Sequence, residues 1–442
     1  MKVRYFLTVL MALGMLSVHA QKQWTLRECV DHAIENNISI KQFELDLENA
    51  LIDRSDAIGN FLPSFNGRAS LTQSIGLGTN PTTGVLENQK VTSISPSISS
   101  GMTLFTGMQN LHRYNRAKIN AKASEYRLED MKDDIRLFVA NAYLQVVSNK
   151  ETLKVQEAQY EATQQDLQRT QELVDAGVLP QGDLLEIEAT AAQQEQAIVD
   201  AENALKISLI SLAQLLTETD YENFDVADVD YLIPTSEIFE RSPKSIFAKA
   251  LTFRNDIKQS EMNVELAEKD VKIAKGGNYP SLSAFFNYNT RWADNVDGLN
   301  IIDQFWRFDG MSYGFQLDIP VLNGFATRNS IKRSEISLDR TRLQYEQDKL
   351  DLEATINQAY TDAKGSLKAY EAAQKALEAR KTAFEYSQER FNVGLLNSFD
   401  FNQVKQQVVQ AEADVVRTKY NYIFNLKVLE FYFGIPISDL DR

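Results

Sequence analysis

Few residues of this sequence have the types and spacing that chemistry requires. His32 and His112 have no second ligand at a metal-binding spacing. The one cysteine, Cys29, lies on a predicted helix face and is expected to be a buried thiol. There is no phosphate-binding loop and no nucleophile motif. The sequence therefore predicts no metal or other cofactor and argues against an enzyme.

The remaining candidates are polar residues that follow two glycine turns and open a helix: Asp183, Glu186, Asp400 and Gln403. Asp183 with Glu186 fits a variant capping box, in which carboxylates favour the free N–H groups and the dipole of a helix. Asp400 lies equally early in its helix, so the same role is expected there. A capping carboxylate can also face a lumen.

The N-terminus has the pattern of a secretory signal peptide. A basic start over residues 1–4 precedes an apolar run from Tyr5 to Val18 and a small residue at Ala20, after which we predict cleavage. No later segment approaches 18 consecutive apolar residues, so any insertion into a membrane would not use helices. The formal net charge of −15, which cleavage makes more negative by two, argues against nucleic acid as a partner.

The strongest regularity in the sequence is a tandem duplication. Residues 217 positions apart match through nearly the whole chain, as Gly107 matches Gly324 and Gly177 matches Gly394. Each copy is therefore expected to build the same unit. The predicted organisation is a signal peptide (1–20), a first repeat (21–216), a linker that forms a small outside excursion (217–243), a second repeat (244–434) and a C-terminal tail (435–442).

Each repeat is expected to contain a first helix, a pair of strands and a long helical hairpin. The first helices are predicted over Leu26–Ala57 and Ser245–Lys275, and the second hairpin over 324–391 and 399–433. Apolar residues recur every seven positions along its first helix in two stripes: Ile331, Leu338, Tyr345, Leu352 and Ala359, and Ile336, Leu343 and Leu350. Two stripes predict packing neighbours on both sides, and a helix of roughly 100 Å predicts an elongated protein.

The predicted strands alternate between apolar and small polar residues. They are expected over about 64–75, 91–106, 281–291 and 311–321, with hairpin loops at 76–90 and 292–310. Such alternation alone favours a sheet half-buried on a soluble core, but it also fits a membrane barrel with lipid outside and a lumen inside. Four strands cannot close a barrel, and open edges are not tolerated in lipid. Other subunits are therefore expected to complete the sheet, and three chains would supply 12 strands.

Together, these features resemble the TolC family of outer-membrane efflux proteins. The resemblance covers essentially the whole chain after the signal peptide. The segments that carry it are the opening helix from Trp24 to Asn37, the strand entries Leu62-Pro63-Ser64 and Tyr279-Pro280-Ser281, the strand exits Phe105-Thr106-Gly107 and Leu322-Asn323-Gly324, and the hairpin turns Gly177–Glu186 and Gly394–Gln403.

The resemblance implies a mixed α and β membrane protein in the outer membrane of a Gram-negative bacterium. In such a protein, a trimeric 12-stranded barrel with four strands per chain continues into a periplasmic α-helical coiled-coil barrel. It implies an exit duct for efflux, with a periplasmic adaptor, an inner-membrane transporter and outer-membrane lipid as partners. The alternatives are a duct for type I protein secretion and, in a different class, a soluble periplasmic adaptor or structural rod.

The resemblance also implies roles for particular residues. The hairpin tips, expected to contact the adaptor, are Gly177, Val178, Leu179, Gly394, Leu395 and Leu396. The residues expected to line the entrance are Asp400, Gln403, Asp183 and Glu186, and three copies of Asp400 would attract cations. The residues expected where barrel meets tunnel are Pro63, Pro280, Pro320, Gly107 and Gly324. Phe391 and Leu396 replace the polar residues that hold the tip closed in the family.

Overall fold

The computed structural model describes residues 22–80, 83–229, 231–233 and 236–436. The helices are α1 (Leu26–Asn36), α2 (Ile38–Gly59), α3 (Gln109–Asp175), α4 (Gln181–Leu216), α5 (Pro243–Phe253), α6 (Asn255–Gly276), α7 (Ile301–Arg307), α8 (Ala326–Asn392) and α9 (Ser398–Tyr432). The strands are β1 (Gln23–Trp24), β2 (Ser64–Thr79), β3 (Leu86–Thr106), β4 (Asp225–Val226), β5 (Ser281–Asn289), β6 (Trp292–Ala293) and β7 (Gly310–Asp318). The predicted signal peptide and most of the predicted tail lie outside the described residues.

The prediction of one uninterrupted first helix in each repeat is wrong. Asn37 separates α1 from α2, and Arg254 separates α5 from α6, because ψ at these residues is 132° and 130°, which is not helical. Asn37 stabilises this break by accepting from the N–H of Ser39 and donating to the carbonyl of Leu215. Both breaks lie 217 positions apart, and neither residue is the glycine or proline that marks a break in a sequence.

The chain falls into two units. The strand unit consists of residues 44–127 and 256–348, and it contains the long antiparallel strands in the order β2-β3-β5-β7. The tip unit consists of the described residues within 22–43, 128–255 and 349–436. It contains α4, α5, α9 and the two hairpin turns.

The sheet has one apolar face and one polar face. Leu71 lies opposite Ile94, Ile98 opposite Tyr288, and Phe286 opposite Tyr313, so apolar residues of neighbouring strands share a side. The other side carries small polar residues, among them Ser70, Ser95, Ser97, Asn287 and Ser312. Apolar side chains of β7 such as Tyr313 and Phe315 are each 75% exposed. The sheet therefore does not bury this face on a core of its own unit, as a soluble sheet would.

The hairpin loops differ from their predicted extents. The strands β2 and β3 pair as far as Thr79 with Leu86, so the first turn is much shorter than 76–90. The predicted loop 292–310 is structured, because β6 pairs with β3 and α7 follows it. Gln304 is buried at its centre and exchanges hydrogen bonds with the N–H and the carbonyl of Ala293. Glycines at 76 and 78 favour a turn in the sequence, but both residues pair with β3 and the strand continues to Thr79.

The tip unit has a well-defined apolar core. Fully buried side chains come from α3, α4, α5 and α9, among them Tyr143, Leu212, Ile246, Ile423 and Leu426. Part of the linker packs into this core, because Phe224, Val226 and Ile238 are buried and β4 pairs in parallel with β1. The prediction that the linker forms an excursion on the outside is therefore wrong for these residues, which pack into the unit.

The long helices begin and end within about two residues of their predicted bounds. Of the first predicted stripe on α8, Leu352 and Ala359 are buried. The second stripe, formed by Ile336, Leu343 and Leu350, is exposed. Among the helices of the described chain, none is both long enough and apolar enough to span a bilayer.

Cys29 is buried on α1, as predicted. Burial, followed by the charge of Glu28, raises the pKa of its thiol to about 12. Roughly one thiol in 10⁴ is then ionised at pH 8, and the thiolate is the reactive form.

We therefore expect Cys29 of the native protein to resist alkylation by a maleimide at pH 8 and to react fully in denaturant. The number of labels per chain, measured by mass spectrometry, checks this. Rapid labelling of the native protein would contradict the burial of α1 against its neighbours.

Candidate functional site

The two hairpin tips have the same turn geometry. Gly177 and Gly394 adopt left-handed backbones, with φ of 73° and 76°. In each turn the glycine N–H bonds to the carbonyl three residues earlier, and the next N–H bonds to the carbonyl five residues earlier. This is the Schellman arrangement, which satisfies the last carbonyls of a helix and favours glycine. The predicted tips Val178, Leu179, Leu395 and Leu396 follow directly, and Val178 and Leu395 are exposed.

The two returning helices begin differently. Asn397 caps α9: its side-chain oxygen accepts from the N–H of Asp400 at 2.8 Å, and its amide donates to the Asp400 carboxylate at 2.9 Å. Pro180 precedes α4 and makes no side-chain cap. The predicted capping box of Asp183 with Glu186 is therefore wrong, because Asp183 is already the third helical residue. Both aspartates do lie in the first turn, where a carboxylate favours the helix dipole.

A cavity of about 570 Å³ lies in the tip unit, between the two hairpins. The predicted site residues that line it are Val178, Leu179, Asp183, Gly394 and Leu396. Gly177, Glu186, Leu395, Asp400 and Gln403 are not in its lining, and Asp400 and Gln403 are exposed. The fold thus brings residues of both turns together at one cavity. The side chain of Asp400 is exposed on the surface of the chain.

Three aromatic rings stabilise the second tip. The ring of Phe401 stacks on Phe391, with centroids 4.5 Å apart and planes at 6°, and on Phe384 at 5.5 Å. Phe401 is buried. Phe391 therefore has a structural role, because the apolar stack joins α8 to the start of α9. This role was not predicted from the sequence, although the spacing of Phe384 and Phe391 by seven residues indicates a shared helix face.

A partly buried ion pair connects the two hairpins. The ammonium of Lys405 on α9 lies 2.7 Å from the carboxylate of Asp166 on α3, and only 8% of the lysine side chain is exposed. The amide nitrogen of Asn402 is buried nearby and lacks a hydrogen-bond partner among the described residues. It lines the cavity and could donate a hydrogen bond there.

We expect Phe401→Ala to loosen the second tip locally. Truncation of a buried phenylalanine costs about 3–5 kcal/mol, and here it also removes both ring contacts. Hydrogen exchange of the amides from 384 to 405 should accelerate strongly. Phe399→Ala, which removes an exposed ring two residues earlier on the same helix, is the control and should leave exchange near the native rate. Equal exchange in both variants would contradict a structural role for the stack.

Four of the five predicted junction residues lie at or near strand ends, and Gly324 lies between the end of β7 and the start of α8. Pro63 and Pro280 directly precede β2 and β5, and Pro320 follows the end of β7. Proline tolerates such positions because no ladder hydrogen bond needs its missing N–H. Gly107 and Gly324 follow the last strands of their repeats with φ of 60°.

No group of three or more histidine, cysteine, aspartate or glutamate residues in the described part of the chain is placed to hold a metal ion. The geometry consists of a two-faced sheet, long helical hairpins and polar tips.

Comparisons with known proteins agree with this geometry. The family model described as outer membrane efflux protein matches residues 29–218 and 247–434. The outer membrane protein TolC of Vibrio cholerae is 22% identical over 338 residues, which are 74% of this chain and 73% of that protein. The alkaline protease secretion protein AprF of Pseudomonas aeruginosa is 19% identical over 413 residues, 91% of this chain and 83% of that protein.

A solved structure shows the same fold. The outer membrane protein VceC from Vibrio cholerae superposes with a TM-score of 0.76 at 14% identity, covering 92% of this chain and 96% of that chain. Because most of the sequence matches the family model, the chain belongs to the outer membrane efflux protein family, and it is a transport duct of the outer membrane and not an enzyme.

Proposed function

We propose that three copies of this chain form a 12-stranded barrel in the outer membrane that continues into a periplasmic helical tunnel. Each chain contributes β2, β3, β5 and β7. The trimer is the exit duct of a tripartite efflux pump, which an inner-membrane transporter and a periplasmic adaptor supply from the other end.

The observation that carries this proposal is the sheet of the strand unit. Its apolar face is exposed, its other face is small and polar, and β2 and β7 are its outer strands. Exposed backbone groups on an outer strand require partners in lipid. Neighbouring copies supply these partners if β7 of one chain pairs with β2 of the next, which closes the sheet. The apolar face then contacts lipid and the polar face surrounds a lumen.

Protein secretion is the second candidate cargo class. It is favoured by the likeness to AprF, whose name assigns it to the secretion of an alkaline protease. The alternative of a soluble periplasmic adaptor or rod receives no such support, because the family model and the named relatives are outer-membrane proteins.

The adaptor contact is assigned to the two hairpin tips. Val178 and Leu395 are exposed apolar residues at equivalent turns, and the cavity between the hairpins opens beside them. We propose that the exposed apolar residues of the two turns form one patch, since an apolar patch rimmed by polar residues is typical of a protein–protein contact.

A transport assay tests the cargo class. A host strain that lacks this chain should accumulate a fluorescent amphipathic dye, and the intact chain should restore its export. If the strain exports dye normally but fails to release one or more secreted proteins, the secretion alternative is correct. If neither process changes, the proposed duct function is wrong.

The exposed carboxylate of Asp400 is proposed to form a cation-attracting ring at the entrance. We expect Asp400→Asn to reduce the preference of the open channel for cations, because three negative charges leave a narrow pore. The reversal potential in a salt gradient measures this. Asp400→Glu keeps the charge and should keep the preference. An unchanged reversal potential in Asp400→Asn would contradict the proposed ring and leave Asp400 only its contact with Asn397 at the start of α9.

A further inference from the structure

The two repeats of one chain contact each other in the strand unit along α3 and α6. The guanidinium of Arg116 lies 2.6 Å from the carboxylate of Asp270. The side-chain amide of Gln109 donates to the carbonyl of Ile273 at 2.9 Å. From the first contact to the second, the residue number decreases on α3 and increases on α6, so the two helices run antiparallel.

The repeat offset maps this helix pair onto another pair. A shift of 217 positions takes α3 of the first repeat to α8 of the second, and α6 of the second repeat back to α2 of the first. If α2 and α8 made the same contact as α3 and α6, the first repeat of one chain would pack against the second repeat of another chain. A closed ring of identical chains needs this kind of heterologous contact.

The charges at the mapped positions are complementary. Arg116 maps to Arg333 and Asp270 maps to Asp53, so the ion pair is retained in type and direction. Both mapped side chains are exposed in the single chain. An ion pair copied by the duplication is useful only if both charged residues are kept. Because Asp53 and Arg333 are both present, we infer that they contact each other.

The apolar residues at the mapped positions are also complementary. On α2, Leu45 and Ile52 are 59% and 53% exposed, and on α8, Leu343 and Ile336 are 72% and 59% exposed. Their equivalents on α6 and α3 are Met262, Lys269, Tyr126 and Ile119, which are only partly exposed. The second stripe of α8 thus matches an exposed stripe of α2 at the same seven-residue spacing.

The tip unit contains one more pair of the same kind. The side-chain amide of Asn255 donates to the carboxylate of Asp133 at 3.1 Å. The mapped residues are Ile38 and Leu350, which are both exposed. A polar contact within the chain corresponds here to an apolar pair, which suits a surface that is buried on assembly.

The glycines near the strand ends also show a contact within the chain whose equivalent, 217 positions away, is open. A Cβ on Gly107 would lie 2.3 Å from the carbonyl oxygen of Gly276, so the two backbones touch. The mapped residues are Gly324 and Gly59, and a Cβ on either would meet no atom of the chain within 4 Å. Gly59 has no left-handed backbone that would require glycine. A neighbouring backbone that approaches Gly59 as closely as Gly107 approaches Gly276 would explain the glycine at position 59.

We propose that α2 of one copy of this chain packs antiparallel on α8 of a second copy, with Asp53 paired to Arg333, Leu45 beside Leu343 and Ile52 beside Ile336. This interface rests on the proposed trimeric duct and adds its residue contacts. Each chain presents α2 to one neighbour and α8 to the other, so the contact repeats around the ring.

Paired cysteines test the interface. In the double variant Asp53→Cys with Arg333→Cys, a short bismaleimide should join different chains and yield covalent dimers and trimers on a denaturing gel. The matched control is Asp270→Cys with Arg116→Cys, which removes the equivalent pair and should link residues of one chain only. The buried thiol of Cys29 is common to both variants and is not expected to react. Each single-cysteine variant should give no covalent oligomer.

Mass and conductance, measured on the same detergent-solubilised samples, distinguish the possible failures. If the variant Asp53→Cys with Arg333→Cys forms conducting trimers but yields no covalent oligomer, this interface is overturned and the duct stays in place. A monomeric, non-conducting wild-type chain would overturn the duct and the interface together. If the cysteine pair prevents folding, the charge exchange Asp53→Arg with Arg333→Asp decides: each single change should lower the yield of trimer, and the exchange should restore it. No recovery would contradict the pair.

Discussion

Phe315→Arg is expected to abolish assembly of the chain in the outer membrane. Phe315 lies on β7 with its side chain on the exposed apolar face of the sheet, directly opposite Ala284. An arginine that faces lipid at mid-membrane depth costs about 2–4 kcal/mol. Three copies would therefore cost about 6–12 kcal/mol per trimer, which is comparable to the whole stability of a small domain. The yield of trimer in outer-membrane fractions measures the effect.

The neighbouring residue supplies the control. Gln316→Arg places the same side chain on the polar face of the same strand, where we propose an aqueous lumen. Its trimer yield should stay close to the native value. Normal assembly of Phe315→Arg, or equal loss in both variants, would contradict the assignment of the apolar face to lipid.

Gly107→Ala is expected to destabilise the strand unit by about 2–5 kcal/mol. A left-handed backbone costs a non-glycine residue about 1–2 kcal/mol, and φ at Gly107 is 60°. The new Cβ would also lie 2.3 Å from a backbone oxygen and 2.8 Å from the Cβ of Tyr279, so rigid atoms must move. Overpacking of this kind costs about 1–3 kcal/mol.

The temperature at which the purified protein loses its folded mobility on a gel measures this effect. Gly298→Ala is the matched control, because Gly298 has φ of 79° and open space around its Cβ position. It should show the backbone cost alone and therefore a smaller decrease. Equal decreases in the two variants would show that the contact with Gly276 adds nothing.

Much of the fold could be predicted because the responsible signals are local and occur twice. Heptad spacing and the absence of proline place α8, and alternation places β7 within a few residues. The offset of 217 positions then confirms each element by its copy. The glycine turns at Gly177 and Gly394 were predicted for the same reason, since a left-handed residue at a helix end strongly favours glycine.

The remaining features depend on contacts that no local pattern encodes. The breaks at Asn37 and Arg254 depend on tertiary partners, since Asn37 donates to Leu215 on a distant helix. The predicted cap at Asp183 failed because Pro180 starts the helix earlier than the carboxylate suggested. The stack of Phe384, Phe391 and Phe401 requires the turn to bring α9 back onto α8. The roles of Asp400 and Gln403 in an entrance stay predictions, because they depend on neighbouring chains.

Reconstitution of the purified chain into a planar lipid bilayer tests the proposed duct most directly. Protein extracted with detergent should have the mass of a trimer and should produce discrete, long-lived conductance steps that favour cations. A chain that remains soluble without detergent, has the mass of a monomer and produces no conductance would contradict the proposal.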